Sequence, residues 1–183
     1  MRDTIDKSLF TVLLLAAAIA AVACGQQGAE TNASTRATVD ARRTVSDDLG
    51  RAVELPPKLT RVVSLAPNLT EMIFAVGGGD RLVGVTTFCN HPERAKSITK
   101  IGDTMTPNME SIVALKPDVV FVSTASQIET FTKTLADNGI AVYVTDPNTL
   151  EDVFKNLRQF GEFFGTEPVA EALVSDLKRR ITN

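Results

Sequence analysis

Three observations predict an α/β fold built on a doubly wound, mainly parallel sheet. Short, β-branched, almost wholly apolar runs recur between residues 61 and 145, the pattern of strands buried on both faces. Segments of helical period lie between them, so strand and helix alternate along the chain. Alternation of that kind closes with right-handed crossovers, which place helices on both faces of the sheet.

The elements follow in order. Arg43-Thr44-Val45-Ser46 and Arg51-Ala52-Val53-Glu54 flank Asp47-Asp48-Leu49-Gly50, predicting a hairpin with Gly50 in its turn and Pro56-Pro57 closing it. Strands are expected over residues 61–65, 82–86, 119–123 and 141–145. A helix over 69–76 stops at Gly77-Gly78-Gly79, and one over 109–115 is stopped by Pro117. Residues 127–138 place Ile128, Phe131 and Leu135 on one helical face ahead of Gly139, a residue suited to the left-handed position after a helix. Leu150, Val153, Phe154, Leu157, Phe160 and Phe164 form one stripe over 150–164. A last helix begins at Thr166 with Pro168 near its first position. It repeats Leu173, Leu177 and Ile181, then stops at Asn183 in mid-pattern, which reads as a chain cut short.

Upstream the text differs. Residues 1–23 have the tripartite shape of a secretory signal peptide, with an apolar run, SLFTVLLLAAAIAAVA, shorter than the roughly 20 residues a spanning helix needs. Small residues lead to Cys24, and the pattern resembles the lipobox of bacterial lipoproteins. That resemblance implies lipidation of Cys24 and a membrane-anchored protein on the periplasmic or cell-surface side; an ordinary signal peptide with a chance cysteine is the alternative. Residues 24–42 carry almost no large apolar side chains and read as a flexible tether. Removing 1–23 takes two charges of each sign, so the net stays −3 and gives no footprint for nucleic acid. With Cys24 lipidated, Cys89 has no partner for a disulfide.

The chemistry-bearing motifs are mostly absent. No G-x-S-x-G surrounds a serine, and the single histidine, His91, has no flanking acid, which argues against a hydrolase triad. Gly77-Gly78-Gly79 follows a helix and lacks the dinucleotide spacing, and no phosphate-loop lysine follows any glycine run. One histidine is too few for a converging metal site. Binding without catalysis is expected, with an α/β enzyme of chelatase type as the competing class, resting on His91 alone.

In open α/β sheets ligands sit beyond the carboxyl ends of the strands. Here those ends lead into Ala66-Pro67-Asn68, Thr87-Phe88-Cys89-Asn90-His91 and Ser123-Thr124-Ala125-Ser126, with the 103–108 loop expected beside them. Hydroxyls, amides and a few apolar groups with little charge suit a large, partly apolar ligand. Asn68 and Glu71 are spaced as a capping box. Glu110 falls in a first helical turn, where a carboxylate is favoured by the helix dipole.

The stretch from Arg61 to Ser123, with APNLTE, CNHP and NMESIVALKPD in order, closely resembles the N-terminal lobe of class III periplasmic substrate-binding proteins. These serve ABC importers of cobalamin, ferric siderophores and haem. The resemblance runs from about Arg43 to Asn183. It implies an N-terminal lobe over 43–165, the start of an inter-lobe helix over 166–183, and a second lobe lying outside this sequence. It also implies a permease and its ATPase subunit as partners, no cofactor, no metal site, no catalysis and a small-molecule chelate as cargo.

Carried over residue by residue, ligand contacts are implied at Pro67, Asn68, Phe88, His91, Thr104 and Met105. Phe88 stands where some cobalamin-binding relatives place an aromatic, though a core role is the alternative. Thr104 replaces an aromatic found in some of them. His91 could serve as an axial haem ligand or simply face solvent. Glu110 corresponds to a glutamate that docks on the permease, and Cys89 to a buried, inert thiol. Cobalamin or a similar corrinoid is the first expectation, with ferric siderophore or haem as alternatives.

Overall fold

The computed structural model describes residues 42–123 and 128–182. The expected signal peptide, Cys24 and nearly all of the tether lie outside the described residues, as do Thr124 to Ser126 of one rim loop. The hairpin comprises β1 (Arg43–Ser46) and β2 (Ala52–Leu55), paired antiparallel with Arg43 opposite Leu55 and Ser46 opposite Ala52. Gly50 sits in the turn at φ +75°, a conformation that side chains disfavour.

The main sheet holds β3 (Val62–Ser64), β4 (Leu82–Val85), β5 (Val119–Ser123) and β6 (Ala141–Thr145), all parallel, in the order β4-β3-β5-β6. The chain leaves β3 toward β4 and later returns to its other side at β5. The carboxyl ends of β3 and β5 therefore mark the topological switch point.

Side-chain parity divides the core into two layers. Val62, Val119, Phe121 and Tyr143 point to one face, where α1 (Pro67–Ala75), α4 (Leu150–Phe164) and α5 (Glu167–Thr182) pack on them. Val63, Val120, Val122, Val142 and Val144 point to the other, against α2 (Met109–Ala114) and α3 (Ile128–Asp137), which contribute Ile112 and Leu135. Each strand is apolar up to its carboxyl end because successive residues feed opposite layers. Phe121 anchors the first layer, 4.9 Å from the Phe160 ring and 5.7 Å from Tyr143. Burial, then the nearby Asp48 and Asp47 carboxylates, push the Tyr143 phenol well above its ordinary value.

The free edge of β6 is sealed by the hairpin turn. Asp48 N–H donates to Val144 O at 3.1 Å, and the buried Asp47 carboxylate accepts from Leu49 N and Arg51 N at 3.0 and 2.9 Å. Arg51 pairs with Asp47 at 2.7 Å, and Asp48 accepts from Asn156 Nδ2 and Asp146 N. Edge groups that would otherwise pair with another chain are thereby occupied. Arg43 opens β1 with its guanidinium over the Phe163 ring at 5.1 Å, while its buried Nε and Nη2 find no hydrogen-bond partner.

Several expected boundaries shift. α1 begins at Pro67, two residues before the expected start, with Ala66 as N-cap and no side-chain cap; the Asn68–Glu71 capping box is not made. Proline at the first helical position needs no N–H partner, so the helix starts there instead. The capping box forms in α4, where Thr149 and Asp152 bond each other's backbone. Short 3₁₀ turns at Gly79–Arg81 and Glu93–Ser97 were not expected. β2 runs one residue later than its pattern suggested, and β3 and β4 are shorter. β5, β6 and α4 match their expected spans.

The glycine run after α1 answers to packing. A Cβ on Gly78 would lie 2.5 Å from the Phe164 ring, and one on Gly79 2.3 Å from Phe74. α4 and α5 form a hairpin across Gly165, which takes the left-handed conformation at φ +69°. Arg158 grips Glu171 through two bonds, and Gly161 lets the helix backbones meet. A Cβ there would come within 2.6 Å of Ala170 Cβ. Gly161→Ala is therefore expected to lower unfolding stability by about 1–3 kcal/mol despite its better helix propensity. Urea unfolding checks this, and an unchanged or raised midpoint would contradict it.

Candidate functional site

The described rim lies at the carboxyl edge of the sheet. α1 leaves β3 through Leu65 and Ala66, so Pro67 and Asn68 stand at the switch point, Pro67 half-buried and Asn68 exposed. After β4 the chain runs through Thr86 to Pro92, carrying Phe88 and His91. The 103–108 loop lies beside it, because Thr87 N–H donates to Gly102 O at 2.8 Å. That loop carries Thr104 and Met105 and leads into α2. All six expected ligand residues thus come to one edge.

Phe88 is 61% exposed and Met105 52%, so neither belongs to the core. Large apolar side chains held in solvent beside a switch point are available to an apolar ligand surface. The core alternative for Phe88 falls. His91 is exposed and precedes Pro92 through a cis peptide bond.

Beneath the rim runs a buried polar seam that sequence reasoning missed. Thr70 Oγ1 bonds Ser64 Oγ at 2.8 Å and Cys89 Sγ at 3.2 Å, and Thr86 Oγ1 lies 3.1 Å from the same sulfur. Ser64, Thr70, Thr86 and Cys89 are all buried, so the seam ties the β3–α1 junction to the loop of Phe88. Cys89 is a structural thiol here. The one available signal was a hydroxyl at or beside the end of each of two apolar strands.

Glu110 is exposed in the first turn of α2, whose N-cap Asn108 accepts from Ser111 N at 2.9 Å. Its carboxylate meets the positive end of the helix, as its position in the sequence implied. Among the described residues no group of three or more His, Cys, Asp or Glu side chains could hold a metal ion, and no helix is long and apolar enough to cross a membrane. Two grooves, of about 410 and 340 Å³, lie away from the rim. One is between β2, β6 and α3; the other is at the amino ends of β5 and β6, around Pro117 and Ile140.

Residues 62–183 match the periplasmic binding protein family. The chain belongs to that family. It is 34% identical over 169 residues to the ABC transporter substrate-binding lipoprotein YvrC of Bacillus subtilis, covering 90% of this chain and 54% of that one. It is 32% identical to the vitamin B12-binding protein of Pectobacterium atrosepticum, covering 66% and 43%. Among solved structures, a periplasmic haem-binding protein of Pseudomonas aeruginosa aligns with a TM-score of 0.64 at 30% identity, covering 68% of this chain and 45% of that chain. Each of the three is named as a binding protein, not as an enzyme. The chain spans about half the length of the relatives it matches.

Met105 is presented by a turn with an acid-sensitive support. Asp103 Oδ1 accepts from Met105 N at 2.8 Å and Thr106 N at 2.6 Å, while Oδ2 accepts from Thr106 Oγ1 at 2.9 Å. The Thr106 amide, then its hydroxyl and the Met105 amide, hold the Asp103 carboxyl below the ordinary 3.8. Because the folded value is depressed, the carboxylate's support is complete above the ordinary value. It is lost as pH falls through the lowered one. Amide exchange at Met105 and Thr106, followed by NMR, should stay protected below pH 3.8 and loosen only at more acid pH. Loosening at or above the ordinary value would contradict this.

Proposed function

We propose that this chain supplies the N-terminal lobe of a lipid-anchored solute-binding component of an ABC importer. Such a component captures cobalamin or a similar corrinoid between two lobes and delivers it to a permease. It makes and breaks no covalent bond, and ATP is hydrolysed by a partner subunit. The observation that carries the reading is the exposed pair Phe88 and Met105 at the carboxyl edge of a sheet otherwise buried on both faces. Pro67, Asn68 and Thr104 complete a rim with few charges, which suits a macrocycle with apolar faces and amide edges. The vitamin B12-binding relatives support the same ligand class. A second lobe would supply the other side of the ligand, since a pocket buries most of the molecule it holds.

Haem is the second reading. The haem-binding neighbour and the exposed His91, a side chain able to take an axial position on iron, both favour it. Titrating the full chain with cyanocobalamin and with haemin, by calorimetry and absorbance, separates the two. Replacing Phe88 and Met105 together by Ala is expected to weaken the preferred ligand by about tenfold or more, given the apolar area lost. Its melting temperature should hold, since both side chains lie in solvent. Unaltered affinity in that variant would remove the rim from ligand binding. A haemin Soret band that shifts in His91→Ala would favour haem.

Glu110 is assigned to permease docking, where partial desolvation makes an ion pair worth more than the roughly 0.2–1 kcal/mol of an exposed one. Glu110→Arg should leave ligand affinity unchanged while abolishing association with the transporter reconstituted in nanodiscs. Association at the parent level in that variant would end the docking role.

A further inference from the structure

We infer that Lys100 and Asp103 are positioning residues, and that the short segment carrying them locks Phe88 and Met105 into one rigid apolar jaw. The inference rests on the proposal that those two side chains contact ligand. It adds what holds them and why they act as a unit.

Segment 99–103 runs along the outer side of β4. Val85 N–H donates to Thr99 O and Ile101 N–H to Val85 O, each at 3.0 Å, and Thr87 N–H donates to Gly102 O at 2.8 Å. Lys100 then reaches back. Its Nζ donates to Cys89 O at 2.8 Å and to Ala95 O at 2.9 Å. Phe88 is therefore pinned on both sides by one segment, through the amide before it and the carbonyl after it. Among the described residues Lys100 makes no ion pair; its ammonium is spent on these two carbonyls, and such charge-assisted bonds are stronger than neutral ones.

The same segment closes the loop of Met105. Asp103 holds the Met105 and Thr106 amides and the Thr106 hydroxyl. Asn108 N–H donates to Ile101 O at 2.7 Å, closing the loop at its base. Between the two devices stands Gly102 at φ +95°, where a Cβ would lie 2.9 Å from Thr106 O and 3.0 Å from Asn108 N. No side chain fits at that pivot. Loops usually lose freedom when they bind, at a cost in affinity, and a jaw already ordered avoids that loss.

The protein contains no tryptophan, so Phe88→Trp and Met105→Trp each create a single fluorescent reporter. In the Phe88→Trp background, Lys100→Met should lower the fluorescence anisotropy, and Lys100→Arg should restore it. In the Met105→Trp background, Asp103→Ala should do the same and Asp103→Asn, which keeps the accepting oxygen, should restore it. In the parent background, Lys100→Met and Asp103→Ala should each weaken binding of cyanocobalamin or haemin, whichever the parent takes, by about tenfold through lost pre-organisation. Melting temperatures should move little. Unchanged anisotropy in both variants overturns the inference, as does a loss that tracks unfolding and is not rescued by the conservative substitutions. Binding lost when Phe88 and Met105 become Ala but kept in Lys100→Met and Asp103→Ala overturns the positioning role alone. Binding kept in all of them overturns the ligand role of the rim as well.

Discussion

Burial of the parallel sheet on both faces is the constraint from which the rest follows. Val62, Val119, Phe121 and Tyr143 fill one layer, and Val63, Val120, Val122, Val142 and Val144 fill the other. Strands used up in this way have no side chain left to meet a ligand except at their ends. The amino ends return from helices through tight turns such as Lys116-Pro117-Asp118, where the Asp118 carboxylate binds the amides of Thr60 and Arg61. The carboxyl ends of β3 and β4 open into the stretches that carry Asn68, Phe88 and His91, all exposed.

Those loops do not stand free. Ser64, Thr70, Cys89 and Thr86 make a buried seam that joins the first two of them, and the segment of Lys100 and Asp103 joins the second to the third. Each of these groups is small or singly charged, and each has a backbone, hydroxyl or thiol partner. The buried polar atoms of the seam are tolerated only when paired, and once paired they hold one geometry. A wall assembled from loops can therefore act like a surface of regular structure. The sheet's outer limits are managed in the same way. Asp47 and Asp48 occupy the edge of β6, while Thr99 and Ile101 occupy that of β4. Backbone groups at both edges are thereby occupied.

Much of this was legible in the residues. Val119 to Ser123 and Ala141 to Thr145 read as buried strands because every position is apolar or small, and both spans match. The Leu150 to Phe164 stripe gave α4 to the residue, since six large side chains at helical spacing leave little choice. Local signals misled where two of them competed. Asn68 and Glu71 have the capping spacing, yet Pro67 outranked them because its fixed φ and missing N–H suit the first helical position. Thr149 and Asp152 are a fainter signal, because the reaching-back residue of a capping box is usually Glu or Gln and Asp is one carbon shorter. Gly77 to Gly79 gave no hint that Phe74 and Phe164 would lie against them, for that contact joins α1, its following turn and α4 across a long stretch of chain.

By itself the sequence determined the layer architecture and the family, because periodicity and motif order are local properties of the chain. Tertiary structure alone decided that Phe88 faces solvent, that Cys89 is a buried joint between two hydroxyls, and that Lys100 and Asp103 bond backbone groups in the loops of Phe88 and Met105. Exposure, and the partners of a single side chain, depend on which distant segments come to lie beside it. No spacing along the chain encodes that.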